Sequence, residues 1–261
     1  MCHDLDSRPP IAPIAGGALD GQLIEISGAD GNTFAAYRAR PTSPSGAGIV
    51  ILPDVRGLHP FYEELALRFA ERGIDALAID YFGRTAGAEP RGDAFEHMPH
   101  AERTTWAGIS SDITEGVETL RREGIERVFT IGFCMGGRMS FLASTLGLRL
   151  AGVIGMYGTL QGPWRNDAPA PLDRIDDVAA PVLGLFGGAD QGITAEAIAA
   201  FDRGLAERVI DHRIVTYPGA PHSFFDRKAV DFAAESEAAW NEVMTFIEGH
   251  RQPTWLVDSG S

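Results

Sequence analysis

Cys134 stands inside the run Gly132-Phe133-Cys134-Met135-Gly136-Gly137, where small residues flank a side chain able to act as a nucleophile. A Gly-x-nucleophile-x-Gly turn between a strand and a helix lifts the central side chain above the sheet edge. With cysteine at its centre, the chemistry is acyl transfer through a thiolate. A lone cysteine is more often a small buried hydrophobe, so the reading depends on partners. Asp190 ends the run Gly187-Gly188-Ala189-Asp190, and His222 lies in Ala220-Pro221-His222-Ser223-Phe224. Taken alone, Asp190 reads as a turn residue or helix cap and His222 as a surface-loop histidine. Together the three follow the chain order nucleophile, acid, histidine, which suits a hydrolytic triad.

The flanking segments are of the kind that could hold such residues in place. Val128-Phe129-Thr130-Ile131 before the turn is a buried-strand pattern, and Met139, Leu142, Ala143 and Leu146 after it have helical spacing. Pro181 to Phe186 and Val209 to Tyr217 read as strands that end just before Asp190 and His222, and open α/β sheets bind ligands beyond the carboxyl ends of their strands. Leu23–Ile26 and Thr33–Arg38 predict a hairpin through Asp30-Gly31. Gly48–Leu52, Ile74–Ile79 and Val153–Met156 predict further strands. Helices are expected from Pro60 to Gly73, around Ile109 to Leu120, from Ile193 to Phe201, and around Trp240 to Ile247. This alternation implies one α/β domain over 1–261 with the α/β-hydrolase fold, a mostly parallel central sheet flanked by helices on both faces. Residues 1–21, rich in Pro, Gly and Ala, are expected to form a flexible arm, and 254–261 a flexible tail. Residues 83–104, polar and irregular, follow a strand end and could cover the site.

Several of these motifs together resemble the dienelactone hydrolases, over about Phe34 to Ile247. They are Ile49-Val50-Ile51-Leu52-Pro53-Asp54-Val55-Arg56-Gly57, Asp80-Tyr81-Phe82-Gly83-Arg84, the Cys134 turn, Gly187 to Asp190, and Ala220 to Phe224. The resemblance implies a lactone- or ester-cleaving enzyme with no metal or cofactor. It makes Cys134 the nucleophile, His222 the base and Asp190 the residue that orients it. Asp54 stands where the family has a glutamate that poises the cysteine. Arg84 matches an arginine that binds the substrate carboxylate. A second family arginine corresponds to Asp226, and Arg227 is the neighbouring candidate. The backbone N–H groups of Val55 and Met135 would form the oxyanion hole, and the amino end of the helix after Cys134 favours thiolate. Other readings within the same fold are a general carboxylesterase or thioesterase, and a ligand-binding homologue without turnover.

Composition sets outer limits. With 44% hydrophobic and 9% aromatic residues in 261, a sizeable core is available. A formal charge of −14 and a pI near 4.8 argue against nucleic acid or an anionic membrane as partner. The expected partner is a small ester or lactone, and oligomeric state is not legible. Only Cys2 and Cys134 are present, which disfavours a disulfide framework and suits a reducing cytoplasm. The first residues lack the pattern of a signal peptide, and no apolar run is long enough to span a bilayer. Cys2-His3-Asp4 and the pair His97 and His100 are weak metal candidates, and no metal is expected.

Overall fold

The computed structural model describes residues 7–92, 94–164 and 166–250. The sheet has eight strands. They are β1 (Ala18–Ser27), β2 (Thr33–Pro41), β3 (Ala47–Leu52), β4 (Ile74–Ile79), β5 (Arg127–Phe133), β6 (Gly152–Met156), β7 (Val182–Gly187) and β8 (His212–Tyr217). Their spatial order is β1-β2-β4-β3-β5-β6-β7-β8. The first two pair antiparallel, β2 runs antiparallel to β4, and every pairing from β4 to β8 is parallel. This is the mostly parallel α/β-hydrolase sheet expected from the alternation of strand and helix patterns.

Strands β3, β4, β6 and β7 are buried at every position, as they must be with helices on both faces. The helices are α1 (Pro60–Ala70), α2 (Gly83–Ala86), α3 (His97–Ala101), α4 (Trp106–Arg122), α5 (Met135–Ala143), α6 (Ala195–Glu207) and α7 (Ala233–Gly249). Proline at the first turn of α1 costs no hydrogen bond, because that N–H has no partner within a helix. Phe61, Leu65 and Phe69 then recur on one face and are fully buried, each contributing about 1.5–3 kcal/mol of burial free energy. Helix α4 starts at Thr105, whose hydroxyl accepts from the Gly108 N–H at 3.1 Å. Helix α5 is buried on all sides, so the turn at Cys134 is backed by packed core.

Register places the functional loops side by side. Leu52 of β3 is level with Gly132 of β5, Phe133 with Met156 of β6, and Gly187 of β7 with Tyr217 of β8. The loops after β3, β5, β7 and β8 therefore emerge at one edge.

Two expectations are corrected. The stretch 1–21 is not an arm throughout. From residue 7 it lies against α1, with Ile11 buried, Arg8 paired to Glu64, and the Ile14 N–H bonded to the Glu71 carboxylate at 2.9 Å. Residues from Ala18 onward already belong to β1, because the hairpin is longer than its apolar alternation reveals. Residues 1–6 and the tail 254–261 lie outside the described residues. Segment 83–104 folds into α2 and α3 over Phe82, against which Phe95, His100 and Arg91 pack.

Candidate active site

Cys134 sits between β5 and α5 with φ 54° and ψ −111°, a conformation that costs a non-glycine residue of order 1–3 kcal/mol. The surroundings leave little choice. A Cβ on Gly132 would fall 1.8 Å from the Gly136 carbonyl oxygen, and one on Gly136 would fall 2.0 Å from the Leu52 oxygen. Both positions need glycine for close backbone approach, and together they press the turn against the end of β3. The Cys134 N–H is held by the Met156 carbonyl at 3.0 Å. Cys134 is partly exposed, whereas every residue of α5 behind it is buried.

Asp190 and His222 reach the same edge from β7 and β8. The Asp190 Oδ1 accepts from the Gly192 N–H at 2.8 Å, a turn bond, while Oδ2 lies 2.6 Å from His222 Nδ1. Asp190 thus closes a turn with one oxygen and meets His222 with the other. The two loops are joined by backbone, with Gly188 N–H to Tyr217 O at 2.8 Å and Ala189 N–H to Ala220 O at 2.9 Å. With Nδ1 committed to Asp190, Nε2 is left for Cys134, which is also hydrogen-bonded to the ring. Burial opposes charge on His222, but the bonds to Asp190 and Cys134 outweigh it and raise the imidazole to about 10.

Beside this trio the loop after β3 carries a feature the sequence did not announce. Asp54, expected to poise the cysteine, is gripped by Arg56. Its Oδ1 accepts from the Arg56 backbone N–H at 2.8 Å and from Nε at 3.0 Å, and its Oδ2 from Nη2 at 2.6 Å. Burial works against the Asp54 anion, yet the Arg56 bonds hold its carboxyl below the usual range. The same Arg56 Nη2 also donates to Asp226, four residues past His222. Burial, reinforced by Asp54, keeps the Asp226 carboxyl above its ordinary value although Arg56 opposes the rise. Val55 lies between Asp54 and Arg56, so the loop with one expected oxyanion donor is fastened to the loop bearing His222. Tyr62 of α1 adds support, its hydroxyl accepting from the Asp54 N–H at 2.9 Å. Tyr157 lies with its ring 5.1 Å from that of His222 and feels the charges of Asp226, Asp54 and Cys134. Asp226 and Tyr157 were not singled out as site residues because their partners are distant in sequence, and Arg56 because no periodicity shows a guanidinium folding back onto its own turn. The only available signal was the departure at Asp226 from the family pattern.

The two expected substrate arginines are placed differently. Arg84 is held by the hairpin and by α4. It pairs with Asp30 in the hairpin turn and, at 2.5 Å, with Asp112 of α4. Arg227 is half-buried and donates to the Ser223 hydroxyl at 3.1 Å, next to His222. His100 bonds Thr85 Oγ1 at 3.0 Å and stacks on Phe95. Among the described residues no group of three or more His, Cys, Asp or Glu is disposed to hold a metal ion. Cys2-His3-Asp4 lies outside them. Among the same residues, no helix is long and apolar enough to cross a membrane.

The sheet order, with a strained turn at Cys134 and the Asp190–His222 pair at one edge, is that of the α/β-hydrolase fold. The chain belongs to the dienelactone hydrolase family, whose sequence model matches residues 34–250. It is thereby a hydrolase of the lactone- and ester-cleaving kind. A protein of Escherichia coli (strain K12) named "Putative carboxymethylenebutenolidase" is 26% identical over 225 residues, 84% of this chain and 83% of its own length. A Bradyrhizobium protein named "Probable 2-oxo-3-(5-oxofuran-2-ylidene)propanoate lactonase" is 27% identical, over 85% of this chain and 92% of its own. Among solved structures, one described as a "Putative Dienelactone Hydrolase" from Klebsiella pneumoniae superposes with a TM-score of 0.75 at 25% identity. That match covers 88% of this chain and 99% of the other.

Proposed function

We propose that the protein cleaves a carboxylic ester or lactone through Cys134, His222 and Asp190, by way of a thioester acyl-enzyme. The observation that carries this reading is the strained, partly exposed Cys134 hydrogen-bonded to a histidine whose Nδ1 is 2.6 Å from Asp190. The sulfur attacks the carbonyl carbon. The resulting oxyanion is received by the backbone N–H groups of Met135 and Val55, whose loops the Gly136 contact presses together. His222, carrying a proton, gives it to the departing alkoxide, and a thioester on Cys134 remains. Water then attacks that thioester while His222 takes its proton. The acid leaves, and the sulfur and imidazolium return to their starting state. Asp190 keeps Nδ1 protonated and stabilises the imidazolium throughout.

The names of the relatives support a small lactone or ester as substrate. The free thiol suits a reducing cytoplasm. Mass spectrometry after quenching with a slowly deacylated p-nitrophenyl ester tests the reading. The expected result is one acyl group on the peptide containing Cys134, absent in Cys134→Ala. Full turnover by Cys134→Ala would overturn it.

A further inference from the structure

We propose that a cavity of 280 Å³ at the amino end of α1 is a second ligand site, built for a small organic cation that carries an ammonium group on an apolar body. None of Cys134, Asp190 and His222 lines this cavity, so the inference stands apart from the reading of the thiol as nucleophile.

The walls come from β1, the start of α1 and the segment 88–91. Glu25, Glu63 and Glu89 line it against one guanidinium, that of Arg91. Arg91 is already neutralised by Asp80 at 2.6 Å. Of the cations on adjoining elements, Arg8 is paired to Glu64, and Arg56 to Asp54 and Asp226. Among the described residues no cation pairs with any of the three glutamates. Glu63 bears the cost of this. It is half-buried, and burial, then the neighbouring Glu64, lift its carboxyl above the ordinary range. A bound cation removes that penalty.

His59 supplies an independent mark. It is 6% exposed and lines the same cavity. Its Nδ1 lies 2.9 Å from the Gly57 carbonyl, which can only accept, so Nδ1 carries the proton. Nε2 is then a lone-pair acceptor, and it is buried with no hydrogen-bond partner among the described residues. Burial also keeps the imidazole below its ordinary value, hence neutral and receptive to an N–H donor. Arg91 Nε, the other buried and unpartnered atom of the wall, is a donor and suits a hydroxyl on the ligand's body. Leu23 and Leu58 make part of the wall apolar, and Leu23 is left 45% exposed. A pocket with an apolar lining and a few converging polar groups is the usual form of a small-molecule site. Its volume equals about nine waters at roughly 30 Å³ each, the bulk of an arylalkylamine. No three His, Cys, Asp or Glu among the described residues are disposed to hold a metal ion, which favours an organic over an inorganic cation.

The test is calorimetric titration of the native protein with phenethylammonium and with 2-phenylethanol, its neutral counterpart of nearly equal shape. We expect one ammonium per chain, bound at least about tenfold tighter than the alcohol, as a charge-assisted hydrogen bond supplies. Glu63→Gln should erase that preference without lowering Tm, because the carboxylate it removes has no partner to lose. Hydrogen exchange with the ammonium present should slow in 56–65 and 86–92. Should Glu63→Gln fail to fold, the ratio of the two ligands in the native protein still decides, and raising ionic strength from about 0.02 to about 0.5 M should shrink it. Absence of binding, equal affinity for ammonium and alcohol, an unchanged preference in Glu63→Gln, or protection confined to 132–137 and 220–224 would each overturn the proposal. Displacement of the ammonium by an equal concentration of Mg²⁺ would assign the cavity to an inorganic cation and overturn it too.

Discussion

Arg56 and Arg84 are each held between two aspartates, yet the two clamps do opposite jobs. Arg56 joins Asp54 and Asp226, hence the loop after β3 to the loop that carries His222, and its side chain is almost wholly buried. Arg84 joins Asp30 and Asp112, hence the β1–β2 turn to α4, with 30% of its side chain in solvent. The residue types are the same. What differs is which loops are joined and how much water remains: one clamp ties the loop beside His222, the other ties the hairpin to α4. A motif match at Arg84 therefore says less than the identity of its partners.

The contrast breaks most sharply if the thiol is not the nucleophile. Cys134→Ala should lower kcat/KM on the order of a million-fold with an unchanged fold, measured as ester hydrolysis alongside circular dichroism. Asp190→Asn should cost roughly ten-thousandfold and alter the pH profile. In the native protein His222 is raised to about 10, so activity that depends on its proton should fall only as pH rises through that value. In Asp190→Asn that basic limb should move toward the ordinary histidine range. Stability follows the same sign. The His222 contribution is complete below the unfolded value near 6.5 and is lost as pH rises through about 10. A basic limb that stays put in Asp190→Asn would remove Asp190 from the trio.

The two clamps can then be compared directly. Arg56→Met strands two buried carboxylates and should destabilise the fold by about 3–5 kcal/mol, read as a large fall in Tm. Adding Asp226→Asn to Arg56→Met should recover part of that loss. Arg84→Gln should cost about 1 kcal/mol, a Tm shift of roughly 2–4 °C, with kcat/KM within about twofold. That small penalty has its own pH signature. Burial pushes Asp112 up to about 6 even with Arg84 beside it. Losing Arg84 costs most when Asp112 is ionised, so the penalty should grow as pH rises through about 6, while the smaller part owed to exposed Asp30 persists below that. A large kcat/KM loss in Arg84→Gln would erase the distinction between the clamps.

The sheet, the elbow and the trio were legible in the sequence because each is encoded locally. Strand runs are apolar, the elbow needs its glycines within four residues, and Asp190 and His222 each follow a strand directly. What was not legible depends on distant pairings. Asp226 acquires its role from Arg56, 170 positions away. Arg84 is claimed by Asp30 and Asp112, 54 and 28 positions away. For Asp54 the contact that went unread has a different cause. Its captor is only two residues on, but no periodicity tells that a guanidinium folds back onto its own turn. The start of β1 was missed because Ala18-Leu19-Asp20-Gly21 has no alternation of its own and pairs only through β2.

The backbone of Cys134 bears on how this enzyme could change. Its φ of 54° is imposed by the glycines and carbonyls around it, not by sulfur. Any side chain placed there inherits the same torsional load, and only glycine escapes it. Relief of about 1–3 kcal/mol outweighs the roughly 0.5–1 kcal/mol that glycine costs through the freedom of the unfolded chain. Selection for thermal endurance alone would therefore drift toward Cys134→Gly, so a cysteine kept at this position is kept for something other than stability.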